Sequence, residues 1–172
     1  MIRIFNPKSL KWTAYILLFL ALYLLQFTPG LFPQIAGIRP VFLVQAVVMI
    51  AMLDGDLNGA VTGIVAGLLW DFGSNRIIGF NAILLMLIGC VCGLLITYLM
   101  RINLITALIL CGSAIFLVEL CDWFFYYVIW GYENSIFVFF RYYFPTMIFS
   151  ALLIPCYFYG IRKILSRLIN TT

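Results

Sequence analysis

The 172-residue chain has no histidine and only ten Lys+Arg and six Asp+Glu, so that 9% of its residues are charged. Lacking histidine, it lacks the commonest metal ligand and the usual proton shuttle near neutral pH. A soluble domain carries about 25% charged residues because its surface must be solvated. So little charge cannot cover a water-exposed surface, which excludes a soluble globular enzyme, a disordered protein and a coiled coil. The basic residues lie mostly at the two chain ends and are not a nucleic-acid footprint. Cysteine is sparse and odd in number. Cys90, Cys92, Cys111, Cys121 and Cys156 all fall in apolar stretches, where thiols serve as small hydrophobes. Cys90-Val91-Cys92 has the spacing of neither a redox nor a zinc motif.

What the chain has is apolar length. Hydrophobic residues make up 66% and the mean hydropathy is +1.16, which defines an integral membrane protein. A helix needs about 20 apolar residues to cross a hydrocarbon core of roughly 30 Å. The apolar stretches predict an all-α, polytopic protein with six spans, at about 12–28, 40–53, 57–72, 79–100, 103–130 and 136–161. Breakers separate them: Thr28-Pro29-Gly30 with Pro33, Asp54-Gly55-Asp56, Gly73–Arg76, Arg101–Asn103 and Gly131–Ser135. The connections are short, so residues 1–172 are expected to form a single transmembrane domain. Arg3, Lys8 and Lys11 precede the first run, and no small-x-small cleavage site follows it. It therefore reads as an uncleaved first helix, not a signal peptide.

With both ends inside, seven basic residues (Arg3, Lys8, Lys11, Arg101, Arg162, Lys163, Arg167) face the cytoplasm and three (Arg39, Arg76, Arg141) the outside. That asymmetry fits the positive-inside rule and predicts cytoplasmic termini. The second and third spans are short: at 1.5 Å per residue, about 14 residues cover roughly 21 Å. Full crossing with borrowed flanks, local thinning of the bilayer and a re-entrant hairpin all remain open for them.

The most distinctive stretch is Gly59-Ala60-Val61-Thr62-Gly63-Ile64-Val65-Ala66-Gly67-Leu68-Leu69-Trp70-Asp71-Phe72. Gly59, Gly63 and Gly67 recur every four residues and line one helix face, where another helix can approach closely. Gly89 and Gly93 repeat the device on the fourth span. The stretch ends in Gly-Leu-Leu-Trp-Asp, and a polar turn with Ser74 leads to Ile78-Gly79-Phe80-Asn81-Ala82-Ile83-Leu84-Leu85. This pattern resembles the rod shape-determining membrane protein MreD family, most closely over residues 40–93 and by span number over the rest. The resemblance implies a non-enzymatic inner-membrane subunit of the bacterial cell-elongation machinery that supports peptidoglycan synthesis. Its implied partners are MreC, MreB, a RodA-type glycosyltransferase and a class B penicillin-binding protein. The fold it implies is similar to that of the substrate-binding (S) subunits of energy-coupling-factor vitamin transporters.

Ionisable groups at membrane depth are costly and so mark candidate sites. Asp71, with Arg76 five positions on, is a candidate partner or ligand contact, or else an anchor capping its own turn through Ser74 or Asn75. Glu119 and Asp122 are three apart on the fifth span and share a face. Arg141 enters the sixth span from the same side, at a depth from which it can reach Asp122, and a charge pair between the two spans is expected in preference to a proton path. The aromatic clusters Trp123–Tyr127 and Phe137–Phe144 read as an interfacial belt or as the walls of a partner groove. Pro145 and Pro155 free backbone carbonyls on the sixth span.

The chain shows no nucleophile–base constellation, metal-ligand cluster or phosphate loop, so neither catalysis nor a metal or cofactor is expected. Two functions of different class remain. A scaffold offers helix-packing surfaces without chemistry. An S subunit would use Asp71, Arg76 and the outer aromatics as an outward pocket. Against the second, Trp12–Gln26 is bulky and holds no four-spaced small pair for docking an energising module.

Overall fold

The computed structural model describes residues 7–28, 40–74, 77–129, 131 and 135–169, with side chains between residues 11 and 161. Six helices account for nearly all of them: α1 (Pro7–Phe27), α2 (Phe42–Asp54), α3 (Asp56–Ser74), α4 (Phe80–Tyr98), α5 and α6. Helix α5 is α-helical over Leu104–Trp123 and ends in a π-helical turn, Phe124–Val128. Helix α6 begins as Ser135–Val138, widens into a second π turn, Phe139–Tyr143, and continues as Phe144–Ile169. Each helix overlaps one of the six apolar stretches. By length and composition α4, α5 and α6 are able to cross a membrane, while Lys11–Phe27 and Phe42–Asp54 are shorter apolar helices.

The short α2 is the axis of the bundle. Every residue from Phe42 to Met52 is buried, and α1, α3, α4, α5 and α6 all pack on it. A helix that is apolar on every side must be surrounded, and Gln45 is the one polar residue in this run. Thirteen residues span about 20 Å, so α2 is shorter than the hydrocarbon core it sits in. It runs antiparallel along α1: its first turn meets the end of α1 at Gln26, and its last residue, Asp54, meets the start of α1 at Lys11.

Helices α3 and α4 form the tightest pair. Gly55, at φ +89°, turns α2 directly into α3, and the α3–α4 hairpin then closes with glycines at its seam. A Cβ on Gly63 would overlap the Leu85 carbonyl, and one on Gly67 would overlap the backbone of Ala82. Gly59 and Gly89 face each other, and Gly93 lies on the backbone of Gly55 and Asp56. All five glycines therefore lie in one antiparallel seam, where backbone touches backbone and dispersion contacts replace side-chain interlocking.

Candidate functional site

The functional candidate is built at the end of the bundle where α1, α3 and α5 finish and α2, α4 and α6 begin. Two helix N-termini lie there, that of α2 buried and that of α4 half-buried, and their free N–H groups need acceptors. Their own N-cap positions, Val41 and Gly79, supply none, so neighbouring helices do. The Asp71 carboxylate at the end of α3 accepts from the Gly79 and Asn81 backbone N–H groups at 2.7 and 3.3 Å and from the Asn81 side-chain amide at 2.9 Å. It is 1% exposed and sits at the N-terminus of α4. Asp71 thus caps the next helix; Asn75, in its own turn, lies outside the described residues. Ser74 reaches only the Asp71 carbonyl, at 3.4 Å.

Helix α2 is capped the same way from two sides. Gln26 Oε1, on α1, accepts from the Phe42 and Leu43 N–H groups at 3.0 and 3.2 Å. Ser150 Oγ, on α6, accepts from the Val41 N–H at 2.9 Å, and Gln45 Nε2 donates to the Ser150 carbonyl at 2.5 Å. Neither glutamine stood out in sequence. The available signal was a lone amide in an otherwise apolar run, the cue that singled out the charged residues.

Between these caps lies an open cavity of about 340 Å³. Helices α1, α2 and α3 contribute Gln26 and Phe27, Pro40 and Val41, and Trp70 and Ser74. From α5 come Glu119, Asp122 and Tyr127, and from α6 come Tyr142, Tyr143 and Thr146. Glu119 and Asp122 are buried and share this wall, one helical turn apart, as their spacing requires. The volume falls at the lower end of small-molecule sites, about 300–1,000 Å³. Both π turns border it. The wider turn carries Tyr127 and Tyr143 to the cavity wall, where their rings meet edge to face at 5.9 Å. Trp123 and Phe139 do the same at 5.1 Å, and Trp123 Nε1 donates to the Ser135 carbonyl at 2.8 Å. Such π turns often coincide with functional positions. The two aromatic clusters therefore pack on each other across the α5–α6 connection, with Phe137, Phe140 and Phe144 left facing outward.

The expected charge pair across α5 and α6 is not formed. Arg141 is exposed and makes no ion pair with Glu119 or Asp122. Its depth along the helix suits the contact, but its bearing does not: the cavity receives Tyr142, Tyr143 and Thr146, and at about 100° per residue Arg141 points to the opposite side. Arg76, the other half of the Asp71 candidate, lies outside the described residues. An ion pair lies at the far end, where Lys11 bonds the Asp54 carboxylate. Tyr15 donates to the same carboxylate at 2.9 Å and the Asn58 amide at 3.1 Å, tying α1, α2 and α3 together. No group of three or more Cys, Asp or Glu able to hold a metal occurs among the described residues.

These features define an all-α, polytopic membrane protein organised by helix packing, with a polar hollow at one end. The chain belongs to the rod shape-determining protein MreD family, whose family model matches residues 7–168. No curated protein and no solved structure matches it. The protein is a membrane component of the machinery that determines rod shape.

Proposed function

We propose that the protein is a non-enzymatic scaffold subunit of the cell-elongation machinery, a single transmembrane domain in the bacterial inner membrane with both termini cytoplasmic. In this reading it binds MreC within the membrane and supports peptidoglycan synthesis. MreB, a RodA-type glycosyltransferase and a class B penicillin-binding protein belong to the same assembly. The observation that carries the reading is the family match across nearly the whole chain. The five seam glycines agree with it, since a backbone-to-backbone hairpin is a rigid packing element with no reactive group. Depletion of the protein in a rod-shaped host should round the cells, and wild-type expression should restore rods. Affinity purification from solubilised membranes should recover MreC. Rods that persist after depletion, or purification without MreC, would overturn the proposal.

A second reading, an S subunit of an energy-coupling-factor-type vitamin transporter, draws support from one observation. The 340 Å³ cavity has the size of a small-molecule site. Mass spectrometry of the protein released intact from micelles decides it. A stoichiometric vitamin-sized adduct supports the transporter reading, and its absence at saturating vitamin removes it.

A further inference from the structure

We infer that a slot between α4 and α5 is a binding site for one acyl chain of a membrane phospholipid. The two helices are joined at one end by residues 99–103. At the other end they meet where Phe80 packs edge to face on Phe125 and Tyr126, at 5.0 and 6.1 Å. Between these contacts they stand apart around a cavity of about 260 Å³. Its lips, Leu87, Val91 and Leu117, are roughly half exposed, so it opens sideways toward the membrane. Ile88 and Cys92 on α4 and Leu110 and Ala114 on α5 form its buried back wall. Helix α4 is fixed by its backbone seam with α3, and α2 packs on both α4 and α5. The gap is therefore built into the bundle.

The lining selects hydrocarbon. Its one hydroxyl, Ser113 Oγ, already donates to the Leu110 carbonyl at 3.0 Å, and the rest is aliphatic apart from the thiols of Cys92 and Cys121. A polar ligand would lose its hydrogen bonds to water and gain none. An empty slot is no better, because atoms that face a void forfeit their dispersion contacts. The shape selects a single chain over a protein helix. From Leu84 to Leu95 the slot runs about 16 Å, which leaves a mean section of roughly 16 Å². An α-helix is about 10 Å across and cannot enter. Nor can one seat closely over the lips, since close helix packing in a membrane uses small residues and the lips are leucine and valine. A dry apolar cavity of about 150 Å³ holds one benzene, so 260 Å³ accommodates roughly ten chain carbons. The slot is separate from the polar cavity and plays no part in either functional reading.

Photo-crosslinking tests it, with the full chain in phosphatidylethanolamine–phosphatidylglycerol vesicles whose acyl chains carry a mid-chain diazirine. Adducts are mapped by mass spectrometry of peptides. Val91 and Ile109 are exposed and should be labelled by bulk lipid in any case. Cys92 and Ala114 are buried behind the lips and should be labelled as well, which requires a chain inside the slot. Ser113→Phe, at an exposed position lining the slot, should fill it and abolish the adducts on Cys92 and Ala114 while sparing those on Ile109. Leu87→Trp, on the opposite lip, repeats the block should Ser113→Phe not fold. Wild-type protein labelled on Val91 and Ile109 but not on Cys92 or Ala114 overturns the proposal, whether the slot is shut or kept for a protein partner. So do back-wall adducts that persist in a folded blocking variant.

Discussion

Replacing Gly63 by alanine changes stability in opposite directions depending on what that glycine faces. If the α3 glycines faced lipid, an added methyl would meet no protein atom, and alanine would gain up to about 1 kcal/mol of helix propensity over glycine. In the structure the new Cβ would coincide with the Leu85 carbonyl, a backbone group that has no rotamer in which to move aside. Helices α3 and α4 must then separate by about an ångström, which forfeits a quarter to a half of the contact energy along the seam. Overpacking of this kind costs about 1–3 kcal/mol, and backbone overlap belongs at the upper end. After the propensity gain, the net loss is roughly 2 kcal/mol. For a chain of this length that lowers the unfolding midpoint by about 4–8 °C. Gly67→Ala should behave alike, because its Cβ would fall on Ala82. Gly112 on α5 provides the control, since a Cβ there meets nothing within 4 Å. Gly112→Ala should leave the midpoint unchanged or raise it. Thermal unfolding of the three variants in one detergent, followed by circular dichroism, makes the comparison. A Gly63→Ala protein as stable as Gly112→Ala would refute the seam.

Asp71→Ala strands the Gly79 and Asn81 N–H groups and should cost about 2–3 kcal/mol in the same assay, whereas a midpoint equal to wild type would show that the α4 terminus needs no cap from α3. Arg141→Leu should change stability by less than about 0.5 kcal/mol, as for an exposed side chain, and a loss of several kcal/mol would restore the charge pair across α5 and α6. A double-mutant cycle of Lys11→Met and Asp54→Asn should yield a coupling of about 1 kcal/mol, because the pair is only partly buried; additive effects would mean the ion pair contributes nothing. Reporter fusions after Thr172 and near Ser135 should report opposite sides of the membrane, with the Thr172 fusion cytoplasmic. The same side for both would contradict an even number of crossings.

The parts of the molecule that show in the sequence are those with a period. Gly59, Gly63 and Gly67 recur every four residues, and that spacing is the physical requirement of a close helix seam. Helix boundaries follow from Asp54-Gly55-Asp56 and Gly73–Arg76 because turn residues mark themselves. The partnerships across the bundle do not show. Asp71 bonds two backbone N–H groups, which every residue carries, so nothing in Gly79 advertises its contact, and the Asn81 amide names no partner. Gln26 meets Phe42 and Leu43 for the same reason. The Asp122–Arg141 expectation failed on rotation: depth along a helix can be counted from sequence, but a helix's bearing on its neighbours is set by the packing of the whole bundle. The π turns add a further change of bearing at Phe124–Val128 and Phe139–Tyr143 that no residue type announces.

The central place of α2 also sets a timetable for synthesis. Its Gln45 amide finds its acceptor on Ser150, 105 residues later in the chain. At about 5–20 residues per second, a ribosome takes roughly 5–20 s to make that partner after Gln45 itself has been added. Throughout that interval the most fully buried helix of the protein is in the membrane with its amide bonded elsewhere and its α5 and α6 faces uncovered. The α3–α4 hairpin, complete 56 residues after α2 begins by the numbering of its helices, closes over part of it first. Assembly is therefore ordered from the glycine seam outward, and α6 arrives last to seat Ser150 on a helix that has been waiting for it.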